Sequence, residues 1–354
     1  MTTTICKMNN HAEERNQLCI CLARIAKERD IKNKEKRERG EKTQEKLDIF
    51  TIPNHIKKMF GEFLKTPLYT ELAILRGHTD GVSCMTFHEN KLYSGGSAGS
   101  SDNTIRVCNT ETYEEIATLR GHTRCVRCLV LHENKLFSGS ADKTIRVWNI
   151  ETHELVATLE GHIRGVLCLT IHENKLYSSG GGDNTMRVWN TYTHELVATL
   201  EGHPNWVNCL TPHKNKLYSG SWDEIIRIWD IKTYKCIATL EGHAGYVQCI
   251  TIHENKLYAG CLDTINIWNT ETYQQIAILR GHIGKVYCLT HYENKLYSGG
   301  QDNTIRIWAA GTHTETYELV ATLEGHTGYV IYLTLHENKL FSGSSDGNIR
   351  IWKI

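Results

Sequence analysis

Histidine, serine and aspartate recur in this chain at separations that would assemble a nucleophilic triad. His122, Ser138 and Asp142 fall within one short stretch, and His203, Ser219 and Asp223 repeat the same separations. A hydroxyl nucleophile, an imidazole base and a carboxylate to orient it are the ingredients of acyl transfer. Two other patterns carry chemistry on paper. Gly95-Gly96-Ser97-Ala98-Gly99 fits the G-x-S-x-G of a nucleophile elbow. That motif must lead a strand into a helix, and no helical periodicity follows it here. Cys6, His11, Cys19 and Cys21 are zinc-ligand types, but their spacing matches none of the common zinc modules. The chain carries no Walker A loop, no H-E-x-x-H and no dinucleotide fingerprint. The reading is therefore non-catalytic, with no catalytic residue, no cofactor and no metal; an enzyme is the remote alternative. A catalytic set is needed once, whereas this one comes back unit after unit.

The recurrence is set by a repeat. Gly-His appears at Gly77-His78, Gly121-His122, Gly161-His162, Gly202-His203, Gly242-His243, Gly281-His282 and Gly325-His326, with spacings of 44, 40, 41, 40, 39 and 44 residues. A period in this range denotes a solenoid, a propeller or another repeat array. Inside each unit come an apolar run such as VNCLT, the turn HENK, LYSG, a short loop with Asp, TIRVW and a closing ATL. Four short β-branched and aromatic runs divided by turn residues, with no 3.6-residue period, describe four strands. Asn in HENK suits a two-residue hairpin that demands positive φ. One small sheet cannot bury both its faces, so the units must stack. Seven stacked units closing on themselves give an all-β, seven-bladed propeller.

Gly-His followed by Trp-Asp or Trp-Asn near the end of a unit of 40 to 45 residues resembles the WD-repeat signature, and the resemblance spans Leu68 to Ile354. It implies that the Gly-His histidine joins a buried structural network with a strand Ser, the turn Asp and a Trp. Units two and four match throughout, as His122, Ser138, Asp142 and Trp148, and as His203, Ser219, Asp223 and Trp229. Unit one departs with Cys108 for Trp, and unit five with Ala259 for Ser and one residue fewer before Trp268. Those blades should be tied least well. The resemblance also implies a latch. Residues 68–76 match a closing strand but precede the first Gly-His, so they should pair with the strand around Asn348–Lys353.

Composition fits a soluble protein: 354 residues, 40% hydrophobic and 23% charged, with no run approaching 18 apolar residues. No membrane association is expected. The thirteen cysteines are an odd number, and the start of the chain lacks a secretory layout. A reducing compartment follows, the cytoplasm first and the nucleus as alternative. Six cysteines, Cys84, Cys128, Cys168, Cys209, Cys249 and Cys288, each stand six residues after the Gly-His histidine. They read as small core filler. Residues 1–67 form a charged arm, with fifteen Lys and Arg against ten Asp and Glu; residues 68–354 carry 25 against 30. That balance gives no pull toward nucleic acid. The arm is read as helical or disordered, with a polar run at 32–46 and an amphipathic helix near 54–65. There Ile56, Met59, Phe60, Phe63 and Leu64 make one stripe behind an Asn54 N-cap.

The letters that vary mark the partner surface. In the resembled family, contacts use the residues three and five past the Gly-His histidine and the residue before the Asp, all on one face. Those positions carry Trp206, Asn208, Tyr246, Gln248, Lys285, Tyr287, Tyr329 and Arg127, and before the Asp Ser101, Trp222 and Leu262 among others. Six of eight tryptophans belong to the repeat, and the two extras, Trp206 and Trp222, share a blade and this face. Exposed aromatics with Arg127 and Lys285 nearby fit an interface hot spot. The expected function is a protein-interaction scaffold for a peptide or protein partner, with the arm available to dock a multi-subunit complex. The alternative is a substrate receptor of a ubiquitin ligase.

Overall fold

Each HENK turn reverses the chain over two residues. In unit two, His132 pairs with Lys135 across Glu133-Asn134. The left-handed residue of that turn is the Glu, not the Asn as the sequence suggested. Glu89, Glu133, Glu173, Glu254 and Glu293 have φ between 48° and 53°, and of the turn asparagines only Asn338, at 59°, joins them. The Asn carbonyl has another task, accepting the N–H of the residue beyond the third strand: Ile150 N to Asn134 O at 3.2 Å, Thr191 N to Asn174 O at 3.1 Å. Holding that carbonyl in line moves the strained φ one residue earlier.

The computed structural model describes residues 69–96, 102–243, 245–310 and 317–354. The arm at 1–67, its helix near 54–65, the set Cys6, His11, Cys19 and Cys21, and Ser97 to Ser101 lie outside the described residues. Among the described residues, 28 strands form seven four-stranded antiparallel sheets. Six follow chain order outward from the axis; in the second blade these are Val126–His132, Lys135–Ser140, Ile145–Asn149 and Leu155–Leu159. The innermost strands touch in succession, and the last, Val330–His336, touches the first, Val82–His88. The ring is closed, and the protein is an all-β seven-bladed propeller.

Burial follows position within the blade. The second strands are buried on both faces because a neighbouring sheet covers each side. In blades two and three the outermost strand is largely exposed except at its last residue, leaving Leu155, Val156, Leu196 and Val197 in solvent while Leu159 and Leu200 are buried. The core is a set of seams between blades, not one centre. Tyr177, Val188 and Leu200 of blade three, for example, pack on Val207, Leu217 and Trp229 of blade four.

The seventh sheet closes as the latch requires. Thr70–Leu75 is its outermost strand, antiparallel to Ile349–Lys353, with Thr70 opposite Lys353 and Leu75 opposite Ile349. Leu75 enters the seam with Val82, Phe341 and Ile351, Tyr69 enters the seam with Trp352, and Glu71 pairs with Arg350. On the HENK face the latch is riveted again. Lys side chains lie over aromatic rings of the next blade: Lys216 over Tyr273 at 4.9 Å, Lys295 over Tyr69 at 5.6 Å and Lys339 over Tyr113 at 6.0 Å.

Strand direction places the loops. A chain that leaves Gly-His, runs down to HENK, up to the Asp turn and down again puts the Gly-His and Asp loops together on the opposite face. That face is where the variable letters lie.

Candidate functional site

The triad-like sets have triad distances and no access. His122 Nδ1 is 2.7 Å from Asp142 Oδ2 and its Nε2 is 2.7 Å from Ser138 Oγ. Trp148 Nε1–H donates to the same Ser138 oxygen at 2.8 Å. The proton count closes if Nδ1–H donates to the carboxylate and the hydroxyl donates to Nε2. Burial alone would raise the Asp142 carboxyl, but hydrogen bonds from His122 and Thr144 outweigh it and hold it well below the usual range. Ser138 is fully buried, so its oxygen meets no substrate. Gly121 has φ 155°, and a Cβ there would come within 3.2 Å of Trp148 Cη2; glycine lets the indole close over the histidine. Blade four repeats the set: His203 to Asp223 at 2.8 Å, to Ser219 at 2.7 Å, and Trp229 to Ser219 at 2.8 Å.

Blades one and five depart where the sequence does. In blade one His78 keeps Asp102 at 2.6 Å and Ser94 at 2.8 Å. Where the other blades have an indole, a cavity of about 40 Å³ lies against Cys108, His78 and Leu75. In blade five both His243 Nε2 and Trp268 Nε1 are buried without a partner. His243 Nδ1 instead meets Asn266 Nδ2 at 3.0 Å and Cys261 Sγ at 3.5 Å. Burial pushes the Cys261 thiol up to about 12 and the His243 imidazole down to about 4. A neutral thiol beside a neutral imidazole is no nucleophile. Ala259→Ser should satisfy both orphaned nitrogens with one hydroxyl. Since each buried unsatisfied group costs about 1–3 kcal/mol, the variant is expected to gain about 1–2 kcal/mol. An unchanged or lower melting temperature in calorimetry refutes this.

The repeated cysteines divide. Cys84, Cys128, Cys209 and Cys288 are buried, and Cys168 and Cys249 are half-buried. A Cβ on Gly139, the residue opposite Cys128, would sit 2.6 Å from its sulfur. A small thiol over a glycine is thus what the strand pair accommodates. In blade three Ser179 takes the glycine's place, and both Cys128 and Cys168 line the axial channel. No group of three or more metal-ligand side chains is arranged to hold an ion among the described residues.

On the variable face, a backbone bond decides which side chains meet. Trp222 N donates to Trp206 O at 2.9 Å, and Ala141, Gly181, Gln301 and Ser345 make the matching bond in their blades. Residues sixteen apart in sequence are thereby neighbours. Trp206 and Trp222 stack at 4.4 Å with planes 20° apart, and Trp222 stacks on Tyr246 of the next blade at 5.0 Å and 11°. Lys285 Nζ lies 5.9 Å from the Tyr246 ring. Trp206 and Tyr246 are 38% and 41% exposed, so the outer rings stay wet. Trp222, expected to stand free, is the half-buried middle ring, and its Nε1 is buried without a partner.

The model of the WD domain, G-beta repeat family matches residues 69–109, 113–149, 153–190, 194–230, 234–269, 273–309 and 317–353. The chain belongs to the WD40-repeat family. WD40 propellers are typically non-catalytic interaction scaffolds with protein partners. No curated protein matches this one. Among solved structures, the crystal structure of the computationally designed Ika8 protein is 28% identical, covers 80% of this chain and 99% of that one, and has a TM-score of 0.64. No helix among the described residues is long and apolar enough to cross a membrane.

The WD40 face gathers some of the nominated residues and separates others. Trp206, Trp222, Tyr246 and Lys285 make one ladder over blades four to six. Tyr287 and Tyr329 stack as a separate pair at 5.9 Å. Arg127, Asn208, Gln248 and Tyr287 turn inward to line the axial channel. Sequence reasoning left out Ile163 and Ile283, which are 66% and 78% exposed. They directly follow Gly-His, where other blades carry Thr, Pro or Ala; that contrast was the available signal.

Proposed function

We propose that this WD40 propeller is a non-catalytic scaffold that binds a peptide or protein on the face carrying the Gly-His and Asp loops. The observation that carries this reading is the three-ring ladder of Trp206, Trp222 and Tyr246. In five blades one Trp is bonded to the strand serine, and neither Trp206 nor Trp222 takes part in such a network. Exposed Leu262 and Ile283 lie on the loops of the next two blades and extend the apolar surface. Aromatic anchors with a cation at the edge suit a hot spot.

The test compares captured partners for wild type, Trp206→Ala and a change on the opposite face, Glu173→Lys. A partner of this face should bind Trp206→Ala about 30-fold more weakly, roughly 2 kcal/mol, and Glu173→Lys normally. Equal capture by wild type and Trp206→Ala removes the ladder from the interface.

A further inference from the structure

The upper part of the axial channel is a cavity of about 270 Å³. Each blade contributes the residue after the valine at the head of its innermost strand, which places Arg127, Asn208, Gln248 and Tyr287 against an apolar wall including Leu167 and Ile331. These polar groups are donor-rich. Asn208 Nδ2 donates to Gln248 Oε1 and to Val247 O, both at 3.3 Å. That fixes the amide of Gln248, whose Nε2 is buried and without a partner among the described residues. Arg127 is exposed. It is absent from the ion pairs that Lys and Arg make among the described residues. No carboxylate lines the cavity. Burial and the neighbouring Tyr329 raise the Tyr287 phenol, which keeps it a neutral donor.

On blades two and three the loop charge has the same sign, whereas the Asp loops of blades four and five carry exposed Glu224 and Asp263. Arg124, Lys143 and Arg164 are exposed on the loops of blades two and three, while Asp142 and Asp183 on those blades are committed to His122 and His162. A guanidinium at the mouth of a recess, with no carboxylate beside it, favours an oxyanion because its fork matches two oxygens.

We propose that the axial cavity is an oxyanion subsite in which Arg127, with Gln248 and Tyr287, receives a carboxylate or phosphoryl group on the bound peptide. The peptide part rests on the reading of this face as a recognition surface; the ion chemistry does not. Two small probes separate the sources. Glutarate stands for an acidic side chain and inorganic phosphate for a phosphoryl group, each titrated into the full chain by calorimetry at low salt.

At least one probe should bind saturably at one site. Arg127→Gln should weaken it about tenfold, and Arg124→Gln, on the open rim, less than about twofold. Melting curves of both variants should match wild type, since neither side chain is buried. Trp206→Ala should keep ion binding, so loss of a peptide with ion binding intact indicts only the ladder. Glutarate alone binding assigns a carboxylate, and phosphate alone a phosphoryl group. Absence of saturable binding by both ions overturns the subsite. So does an Arg124→Gln loss as large as that of Arg127→Gln, which would mean diffuse surface charge.

Discussion

Removing residues 1–76 is expected to abolish cooperative melting near physiological temperature, while removing 1–68 should leave the transition in place. The longer deletion strips Thr70–Leu75 from the seventh sheet and bares the edge of Ile349–Lys353. It also takes Tyr69 and Leu75 out of two seams. Burying two such side chains is worth roughly 3–6 kcal/mol, a large share of the 5–15 kcal/mol typical of whole domains. An exposed edge additionally invites pairing with other chains, so aggregation should accompany the loss. The measurement is a calorimetric scan of both truncations with light scattering. Indistinguishable melting temperatures would mean that the ring does not depend on its latch.

The second large effect separates two tryptophans of one blade. Trp229→Ala should cost about 3–5 kcal/mol, as truncation of buried aromatics does. The indole is 3% exposed, fills the seam with Tyr177 and Leu200, and gives Ser219 its hydrogen bond. Trp206→Ala loses a single stacking contact on a ring that is already 38% exposed. Such a contact is worth about 0.5–1.5 kcal/mol. Chemical denaturation of both variants checks the contrast. If Trp206→Ala unfolds as readily as Trp229→Ala, the ladder is packing, and its claim as an interface falls. Blade one tempers the expectation for any single network, because Cys108 leaves its indole site as a small cavity and the blade still keeps its His78, Ser94 and Asp102 bonds.

The fold was legible because every blade spells the same sentence. Strand order, the Gly-His network and even the latch follow from comparing one unit with the next. What stayed hidden was whatever depends on distance between blades. The sequence puts Trp206 and Trp222 on one face, but only the Trp222 N to Trp206 O bond explains why they stack. Only ring geometry makes Tyr246 the third member. Likewise Arg127 and Gln248 look like rim positions on paper. In each blade the residue after the inner valine turns toward the axis, so both line the channel. The left-handed Glu was missed for a local reason, since residue preference favours Asn and the carbonyl bond to the third strand overrides it.

The latch also sets a timetable. Glu71 and Arg350, which pair across it, are 279 residues apart, so during synthesis the strand Thr70–Leu75 emerges long before its partner exists. At 5–20 residues per second, the wait on the ribosome is roughly 15–55 s. Six blades can form in that time, and each presents its newest seam to solvent until the next arrives. The first strand spends the whole interval as an unsatisfied edge with Leu75 uncovered. A nascent chain of this design needs either rapid sequential folding or a chaperone that holds its opening segment until the last blade is translated.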